Sequence, residues 1–338
     1  MRKRVAVLGP HILDVLGRPV DDIPAGQGSS RLTEIRATAA GTAGGTAVDL
    51  AKLGASVASF GAIGADLLGD IVLAALSAAG VDTAGLVRKT AAQTSATILP
   101  IRRSGERPAW HVPGATRLLE LRDIDLARLG CCDGLLLGGP DALRGLSSAD
   151  LATIAASAGS GGALVAVDVL HPGGPADFAH ISAALAAADW FWPNADQLRA
   201  LTGHDDLERA AAAVLALGTG GVAVTLGADG CLVTGRDGRL SHVPAIAVDV
   251  VDTTGCGDAF NAGMLTGLLL GCEPVDAAWL GVACGSLVAT GLGSDAAIDD
   301  LGQVLDFLRA ANAGAAERIT TAAGVVQAGP AQDGERVA

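Results

Sequence analysis

Short apolar strands that alternate with helical runs constrain the fold of this chain more than any other feature. The strand candidates are apolar along their whole length, which is typical of strands buried on both faces of a sheet. They cover residues 5–9, 56–64, 134–139, 164–169, 190–193 and 221–227. Helical periodicity fills the intervals, at residues 46–53, 67–79, 149–158, 181–188 and 207–217. The pattern predicts an α/β protein with a mainly parallel central sheet.

A glycine-rich turn follows a further apolar strand pattern and leads into another helical run. In this turn Gly255 and Gly257 flank Cys256. Glycine adopts backbone angles that other residues avoid, and it leaves the neighbouring amides uncovered. The first N–H groups of a helix lack intrahelical partners and lie at the positive end of its dipole. The turn therefore predicts an anion site that suits a phosphate group.

Asp258 is the unexpected residue of this turn. A carboxylate beside a phosphate group repels it, unless the carboxylate takes part in the chemistry. We expect Asp258 to accept the proton of a hydroxyl group that attacks the phosphorus. An aspartate of ordinary pKa suffices, because a loose phosphoryl-transfer transition state requires little early proton transfer. The alternative for an isolated Gly-x-Gly-Asp is that the aspartate only caps the helix.

Charge and hydropathy exclude several classes of function. The 338 residues carry a formal net charge of −13, which disfavours a nucleic-acid or anionic-membrane partner. The sequence contains no Gly-Lys pair, so it has no Walker A phosphate loop. The basic residues 2–4 precede only a short apolar run that Pro10 interrupts, which predicts a first strand rather than a signal peptide. No apolar run is long enough to span a membrane, and we expect a cytoplasmic protein.

The six cysteines show no metal-binding or disulfide pattern. None has C-x-x-C spacing, and none has a histidine at zinc-finger distance. We expect free thiols in a reducing compartment, with Cys256 filling a position that requires a small side chain.

Three segments depart from the alternation of strands and helices. Residues 17–39 and 93–114 alternate polar and apolar side chains, as half-exposed strands do, and we expect them to form a small sheet that covers the active site. Ordinary edge hairpins are the alternative. From residue 313 the chain is rich in Ala and Gly without a period. We predict one domain over residues 1–312 and a mobile tail over residues 313–338.

Several motifs place polar or glycine residues at the ends of strands, where ligands bind parallel sheets. Asp14 follows the first strand, and a Gly44-Gly45 turn leads into a helix that carries Asp49. The segments 192–197 (W-P-N-A-D-Q) and 224–230 (V-T-L-G-A-D-G) follow later strands. Each motif alone is compatible with an ordinary cap or tight turn.

Together these motifs resemble a known family. The string D-T-T-G-C-G-D-A-F-N-A-G at residues 252–263 is similar to the C-terminal signature of the PfkB, or ribokinase-like, carbohydrate kinases. Residues 41–54 resemble the first signature of that family, and residues 192–197 resemble its P-N-x-x-E motif. The resemblance covers roughly residues 4–310 in the correct order. It implies a ribokinase-like three-layer sandwich with a small β lid, formed by the segments near 17–39 and 93–114. Such lids often pair between subunits, which suggests a homodimer through the lid.

The resemblance also implies roles for individual residues. The acceptor hydroxyls would bind to Asp14, Gly44, Gly45 and Asp49. ATP, with Mg²⁺, would bind near Asn194, Thr225, Gly227 and Gly230. Catalysis would rest on Asp258 and on the amides of Gly255, Cys256 and Gly257. In family members that use potassium, positions matching Asp252, Thr254 and Gly293 lie at the K⁺ site. Potassium-dependent and potassium-independent enzymes both fit this sequence.

Two positions depart from the family pattern. Asp49 replaces the usual Asn, which adds charge near a second acid and argues mildly against an anionic acceptor. Gln197 replaces the usual Glu, which removes a charge that helps to recruit magnesium, and the neighbouring Asp196 points about 100° away around the helix.

The leading hypothesis is an ATP-dependent kinase that phosphorylates a hydroxymethyl group of a sugar or related polyol. A nucleoside kinase of the same family is the first alternative. A purine would stack on aromatic rings, and the predicted lid offers Trp110 and His111. The second alternative is a sugar- or nucleotide-binding regulator without catalysis, which Asp49 and Gln197 motivate and the intact Asp258 opposes.

Overall fold

A nine-stranded sheet forms the centre of residues 2–324, the part of the chain that the computed structural model describes. The strands of the protein are β1 (Arg4–Leu8), β2 (Ile12–Arg18), β3 (Glu34–Ala40), β4 (Ser56–Gly64), β5 (Asp82–Lys89), β6 (Ala96–Pro100), β7 (Trp110–Val112), β8 (Gly134–Gly138), β9 (Leu164–Asp168), β10 (Trp190–Phe191), β11 (Gly221–Thr225), β12 (Cys231–Gly235) and β13 (Leu240–Val243). The helices are α1 (Gly41–Lys52), α2 (Leu67–Ala78), α3 (Leu126–Leu129), α4 (Ser148–Ser160), α5 (Pro175–Ala186), α6 (Ala195–Thr202), α7 (Leu207–Leu215), α8 (Cys256–Leu269), α9 (Pro274–Val288), α10 (Leu301–Ala311) and α11 (Ala313–Ala323).

The strand order of the central sheet is β13-β12-β11-β10-β9-β8-β1-β4-β5. The seven strands from β11 to β5 in that order run parallel, and the only antiparallel pairs of this sheet, β11–β12 and β12–β13, lie at one edge. This confirms the mainly parallel sheet, because the six predicted strand segments between residues 5 and 227 all contribute to it. The further strand predicted before the glycine turn is wrong, since residues 244–255 form neither strand nor helix. The next strand of this sheet along the chain, β4, pairs with β1 on one side. The strand of this sheet after β5, β8, pairs with β1 on its other side. The strand order therefore reverses beside β1, which creates a crevice for ligands at that edge.

Helices cover both faces of the sheet, as the apolar strands predicted. Successive side chains of a strand point to opposite faces. Val5 and Val7 of β1 accordingly lie in one core with α1, α8, α9, α10 and α11. Ala6 and Leu8 lie in a second core with α4, α5, α6 and α7. The protein is a three-layer α/β sandwich of the ribokinase-like type.

A separate four-stranded sheet has the order β3-β2-β6-β7 and forms the predicted lid. The pair β2–β6 is parallel, and the pairs β2–β3 and β6–β7 are antiparallel. The lid begins earlier than residue 17, because β2 starts at Ile12, close behind β1. Asp14 follows the first strand, as predicted, but it lies on a lid strand and not in a loop or cap.

The prediction of a mobile tail from residue 313 is wrong for residues 313–323, which form α11. The side chain of Asn312 accepts a hydrogen bond from the amide of Ala315 and caps this helix. Ala315, Ala316 and Ile319 are buried against the core, and Arg318 makes two hydrogen bonds to the buried Asp276. The rest of that prediction, residues 325–338, lies outside the described residues.

All six cysteines are free thiols, as predicted. In residues 2–324, no helix combines the length and the apolar character needed to cross a membrane.

Candidate active site

The glycine turn before α8 leaves backbone amides without helical partners. Gly255 is in the left-handed conformation (φ +79°) and precedes the first helical residue, Cys256. The amide of Cys256 makes only a long contact with the carbonyl of Thr253, at 3.4 Å. Gly257 is exposed, and no heavy atom lies within 4 Å of the place where a Cβ would be. This geometry fits the predicted anion site.

Glycine is required at position 255 because this turn packs against a neighbouring loop. A Cβ there would lie 2.3 Å from the Cα of Ser294. Cys256 fits the turn as a neutral group, because burial raises the pKa of its thiol to about 12. An uncharged thiol adds no repulsion toward a phosphate.

Asp258 lies in the first turn of α8, against α1. A Cβ on Gly45 would lie 2.7 Å from Oδ2 of Asp258, and the hydroxyl of Thr46 donates a hydrogen bond to the Asp258 carbonyl oxygen at 3.3 Å. Burial, together with the nearby carboxylates of Asp168 and Asp49, raises the pKa of Asp258 well above its ordinary value. The sequence analysis required only an aspartate of ordinary pKa. The difference makes the ionised carboxylate a stronger base.

Asp168 is a site residue that the sequence analysis missed. It ends β9, it is buried, and its Oδ2 accepts a hydrogen bond of 2.7 Å from Nδ2 of Asn261 on α8. Burial raises the pKa of Asp168 to about 7. The available signal was an acid at the end of the apolar strand Leu164–Asp168, where the sheet presents its ligand edge.

A row of polar side chains lies on the inner face of the lid. Asp14, Thr97 and His111 lie opposite one another on β2, β6 and β7. The Thr97 hydroxyl lies 3.1 Å from Nδ1 of His111. Burial raises the pKa of Asp14 to about 6. The sequence analysis named Asp14 for acceptor hydroxyls and His111 only as a ring that could stack on a purine. It missed Thr97, because only the strand register brings Thr97 between the other two.

The predicted Gly44-Gly45 turn is not a turn. The left-handed residue that starts α1 is Gly41 (φ +83°), and both later glycines lie inside the helix. Gly45 is needed there because the Asp258 carboxylate occupies the space of a side chain. Gly44 faces His11, whose Cδ2 would lie 3.6 Å from an added Cβ.

Asp49 is not open to the acceptor. It lies on α1, its side chain is fully buried, and neither carboxylate oxygen has a hydrogen-bond partner among the described residues. Burial raises the pKa of Asp49 well above its ordinary value, which favours the uncharged acid. A protonated carboxyl group can donate as well as accept, as the amide of Asn does. The expected extra charge, and the argument it gave against an anionic acceptor, are therefore unsupported.

The predicted nucleotide residues lie at the ends of β10 and β11. Asn194 and Thr225 form a parallel bridge, and the Thr225 amide donates to the carbonyl of Pro193 at 3.0 Å. Gly227 (φ +61°) has open space where a Cβ would be. Gly230 instead packs against β13, since a Cβ there would lie 2.0 Å from the carbonyl oxygen of Val243. Three of the four residues thus border the ligand edge, and Gly230 shapes the following hairpin.

Gln197 has a structural role that explains the departure from Glu. Its Oε1 accepts from the Asn194 amide at 2.8 Å, while Oδ1 of Asn194 accepts from the Gln197 amide at 2.8 Å. Its Nε2 donates to the carbonyls of Val169 and Leu170, at 3.0 and 3.2 Å. A glutamate cannot make the last two bonds. Asp196 lies outside this hydrogen-bond network: its side chain is 97% exposed and pairs with Arg199 at 3.4 Å.

Asp252, Thr254 and Gly293 come together beside the turn, as the resemblance implied. One oxygen of Asp252 accepts from the amide and the hydroxyl of Thr254, at 3.0 and 2.7 Å. The other oxygen accepts from the Gly293 amide at 3.0 Å. Three donors leave this carboxylate a free lone pair, and the loop carries carbonyl oxygens, so the cluster fits a monovalent cation. Within residues 2–324, no group of three or more His, Cys, Asp or Glu side chains could hold a metal ion.

The sheet arranges these groups along one edge. The lid and α1 lie beside β1, while Asn194 and Thr225 lie beyond β9 on the other side of the crevice. Asp258 and Asp168 lie between the two. A base, an anion turn and polar groups on both sides suit transfer of a phosphoryl group between two ligands that meet at Asp258.

Comparison with known proteins assigns the family. The profile described as "pfkB family carbohydrate kinase" matches residues 2–301. The chain is 31% identical over 279 residues to the ATP-dependent ribose-1-phosphate kinase of Halopiger xanaduensis, covering 80% of this chain and 86% of that protein. It is 29% identical over 317 residues to the ribokinase of Haemophilus influenzae, covering 91% and 99% of the two chains.

A solved structure shows the same fold. A double mutant of the fructokinase from Vibrio cholerae O395, in its fructose, ADP and potassium ion bound form, superimposes with a TM-score of 0.74. It is 25% identical, over 90% of this chain and 98% of that one. The chain thus belongs to the PfkB family of carbohydrate kinases, phosphotransferases that act on a hydroxyl group.

Proposed function

We propose that this protein transfers the γ-phosphoryl group of ATP to a hydroxymethyl group of a sugar or related polyol. One observation carries the proposal: the Asp258 carboxylate lies against Gly45 on the acceptor side, and Asp258 itself lies in the first turn of α8, directly after the glycine turn. A base in contact with both ligand sides is useful when a hydroxyl group must attack a phosphate.

In the proposed mechanism, Asp258 takes the proton of the acceptor hydroxyl as its oxygen attacks the γ-phosphorus. The new O–P bond forms while the bond to the bridging oxygen of ADP breaks. The amides of Gly255, Cys256 and Gly257 donate hydrogen bonds to the γ-phosphoryl oxygens, on which negative charge accumulates. The raised pKa of Asp258 strengthens the base and makes the reaction depend on its ionised form.

The proposal involves two kinds of metal ion, magnesium and a monovalent cation. Magnesium supplied with ATP would neutralise phosphate charge. Because Asn194 and Gln197 offer no carboxylate, we expect the phosphates themselves to hold it. Asp252, Thr254 and Gly293 would hold a monovalent cation, and activity in potassium compared with N-methylglucamine at equal ionic strength tests this.

The acceptor side favours a sugar over a nucleoside. Asp14, Thr97 and His111 offer hydrogen-bonding groups to hydroxyls. Trp110 is on the opposite face of the lid and is 52% exposed, so His111 is the one lid ring that faces the acceptor. Relatives named for ribose, ribose-1-phosphate and fructose phosphorylation fit this polarity.

A coupled assay of ADP formation over sugars, sugar phosphates, polyols and nucleosides tests the proposal. We expect turnover with one sugar, reduced at least about 100-fold in Asp258→Asn and unchanged in the exposed control Asp196→Asn. Turnover with a nucleoside instead would establish the first alternative. Binding of ATP or a sugar without turnover would establish a non-catalytic regulator.

We also infer a homodimer that pairs through the lid. The outer lid face carries Val15, Ile98 and Trp110 in register across three strands, and these side chains are 37%, 57% and 52% exposed. Sedimentation velocity should show a dimer that Ile98→Glu dissociates, whereas Leu240→Glu, an exposed apolar position on β13, leaves it intact. A wild-type monomer at micromolar concentration would refute this inference.

A further inference from the structure

An arginine of the lid lies close to the glycine turn at residues 255–257. Arg107 lies in the loop between β6 and β7, and its Nε donates a hydrogen bond of 3.1 Å to the hydroxyl of Thr253. Thr253 precedes the glycine turn by two residues, and consecutive Cα atoms are about 3.8 Å apart. The guanidinium group therefore lies at the mouth of the anion site, although the residue is far from it in sequence.

Arg107 differs from its neighbours in the same loop. Arg102 pairs with Glu106 at 2.8 Å, and Arg103 pairs with Asp21 at 2.7 Å. Arg107 makes no ion pair within 4.0 Å of a carboxylate in the described part of the chain, although Asp14 and Asp258 are its electrostatic neighbours. A positive charge placed near acids but paired with none suits a site whose partner is a ligand.

The geometry leaves most of the guanidinium available. Of its five N–H donors, the bond to Thr253 uses the one on Nε, and no bond from the terminal nitrogens to a described residue is seen. The terminal N–H groups have the fork geometry that matches two oxygens of one phosphate. The bond to Thr253 fixes the direction of that fork relative to the turn.

We propose that Arg107 is a catalytic residue carried by the lid, whose guanidinium contacts the γ-phosphoryl oxygens during transfer. This rests on the proposed kinase function and adds a cation to its amide site. As the acceptor O–P bond forms and the bond to ADP breaks, charge spreads over the equatorial phosphoryl oxygens, and the proton goes to Asp258. Arg107 gains and loses no atom, and it adds a positive charge to the stabilisation that the amides provide. Because the lid carries it, the stabilisation requires a lid positioned over the site.

Three variants test this inference: Arg107→Ala, Arg107→Lys and the loop control Arg102→Ala. Removing a preorganised donor of this kind costs about 100- to 1,000-fold in kcat. We expect that loss in Arg107→Ala, a smaller loss in Arg107→Lys, and wild-type kcat in Arg102→Ala. The acceptor KM and the Kd of ADP should change less than about threefold, because the contact belongs to the transition state. Thermal unfolding should be unchanged, since Arg107 is exposed.

A binding measurement gives a second readout. Calorimetry with ADP, aluminium fluoride and the sugar, a mimic of the transferring phosphoryl group, should show tight binding to wild type and weaker binding to Arg107→Ala. An unchanged kcat in Arg107→Ala would overturn the inference. So would an increase of the acceptor KM alone, restricted to anionic acceptors, because Arg107 would then anchor the acceptor. Wild type without turnover refutes the proposed function and this inference with it, whereas turnover that Arg107→Ala retains refutes only the inference.

Discussion

Replacement of Gly45 by alanine should damage catalysis without damaging the fold. The added Cβ would lie 2.7 Å from Oδ2 of Asp258 and 3.2 Å from its Cγ. Ordinary van der Waals contact begins near 3.4 Å, so the methyl group and the carboxylate must separate by about 0.7 Å. Both groups lie on helices packed against each other, so most of this shift falls on the Asp258 side chain. A misplacement of about 1 Å at reacting groups can cost roughly 100-fold.

Steady-state kinetics with the identified sugar should therefore show a kcat about 100-fold lower in Gly45→Ala. Stability should stay close to wild type, because alanine in a helix interior gains about 0.5–1 kcal/mol over glycine and offsets part of the strain. Gly44→Ala is the matched control for kcat, since its Cβ would make an ordinary 3.6 Å contact with His11. Its effect should appear in the acceptor KM. A Gly45→Ala enzyme with wild-type kcat, or equal losses of kcat in both variants, would refute the reasoning.

Two further predictions concern the neighbours of this carboxylate. Asp168→Asn removes a negative charge that raises the pKa of Asp258, so the acid limb of the pH–kcat profile should shift to lower pH; an unmoved or upward-shifted limb would contradict the assignment. Gln197→Glu replaces two donated hydrogen bonds with repulsion between a carboxylate and the carbonyls of Val169 and Leu170. Urea unfolding should show a loss of about 1–2 kcal/mol, and a gain in stability would contradict the stabilising role of the two bonds from Nε2.

The turn and helix that carry Asp258 could be predicted from sequence because their determinants are local. Two glycines and an acid lie within one short stretch just before a helical run. The strand predicted before this turn is absent, because the apolar alternation of residues 246–250 has no strand to pair with there. The parallel sheet followed from the same kind of local evidence. Local evidence was misleading at Gly44 and Gly45. Two adjacent glycines predict a turn, yet both lie within α1, and Gly45 lacks a side chain because Asp258 of another helix occupies the space.

The residues that sequence reasoning missed depend on contacts distant in the chain. Arg107 meets Thr253 through the placement of the lid, and Asp168 meets Asn261 through the packing of α8 beside β9. Sequence analysis missed helix α11 for a related reason. Its apolar face contains little more than alanines and Ile319, so its amphipathic pattern is weak, and contact with α9 and α10 holds it in place. Its Asn312 cap was the one local signal.

The proposed site must bind ATP, a polyanion, although several aspartates lie close together in it. Asp14, Asp168 and Asp49 all lie within electrostatic reach of Asp258. Burial raises the pKa values of all four, so each ionises less readily than an exposed aspartate, and the repulsion toward ATP is smaller than the count of acids implies. The same crowding makes Asp258 a stronger base once it ionises. The positive side of the balance comes from backbone amides and from Arg107, which need no titration. A site of this kind gains activity as pH rises through the pKa of Asp258, and its attraction for phosphate persists because those donors keep their protons.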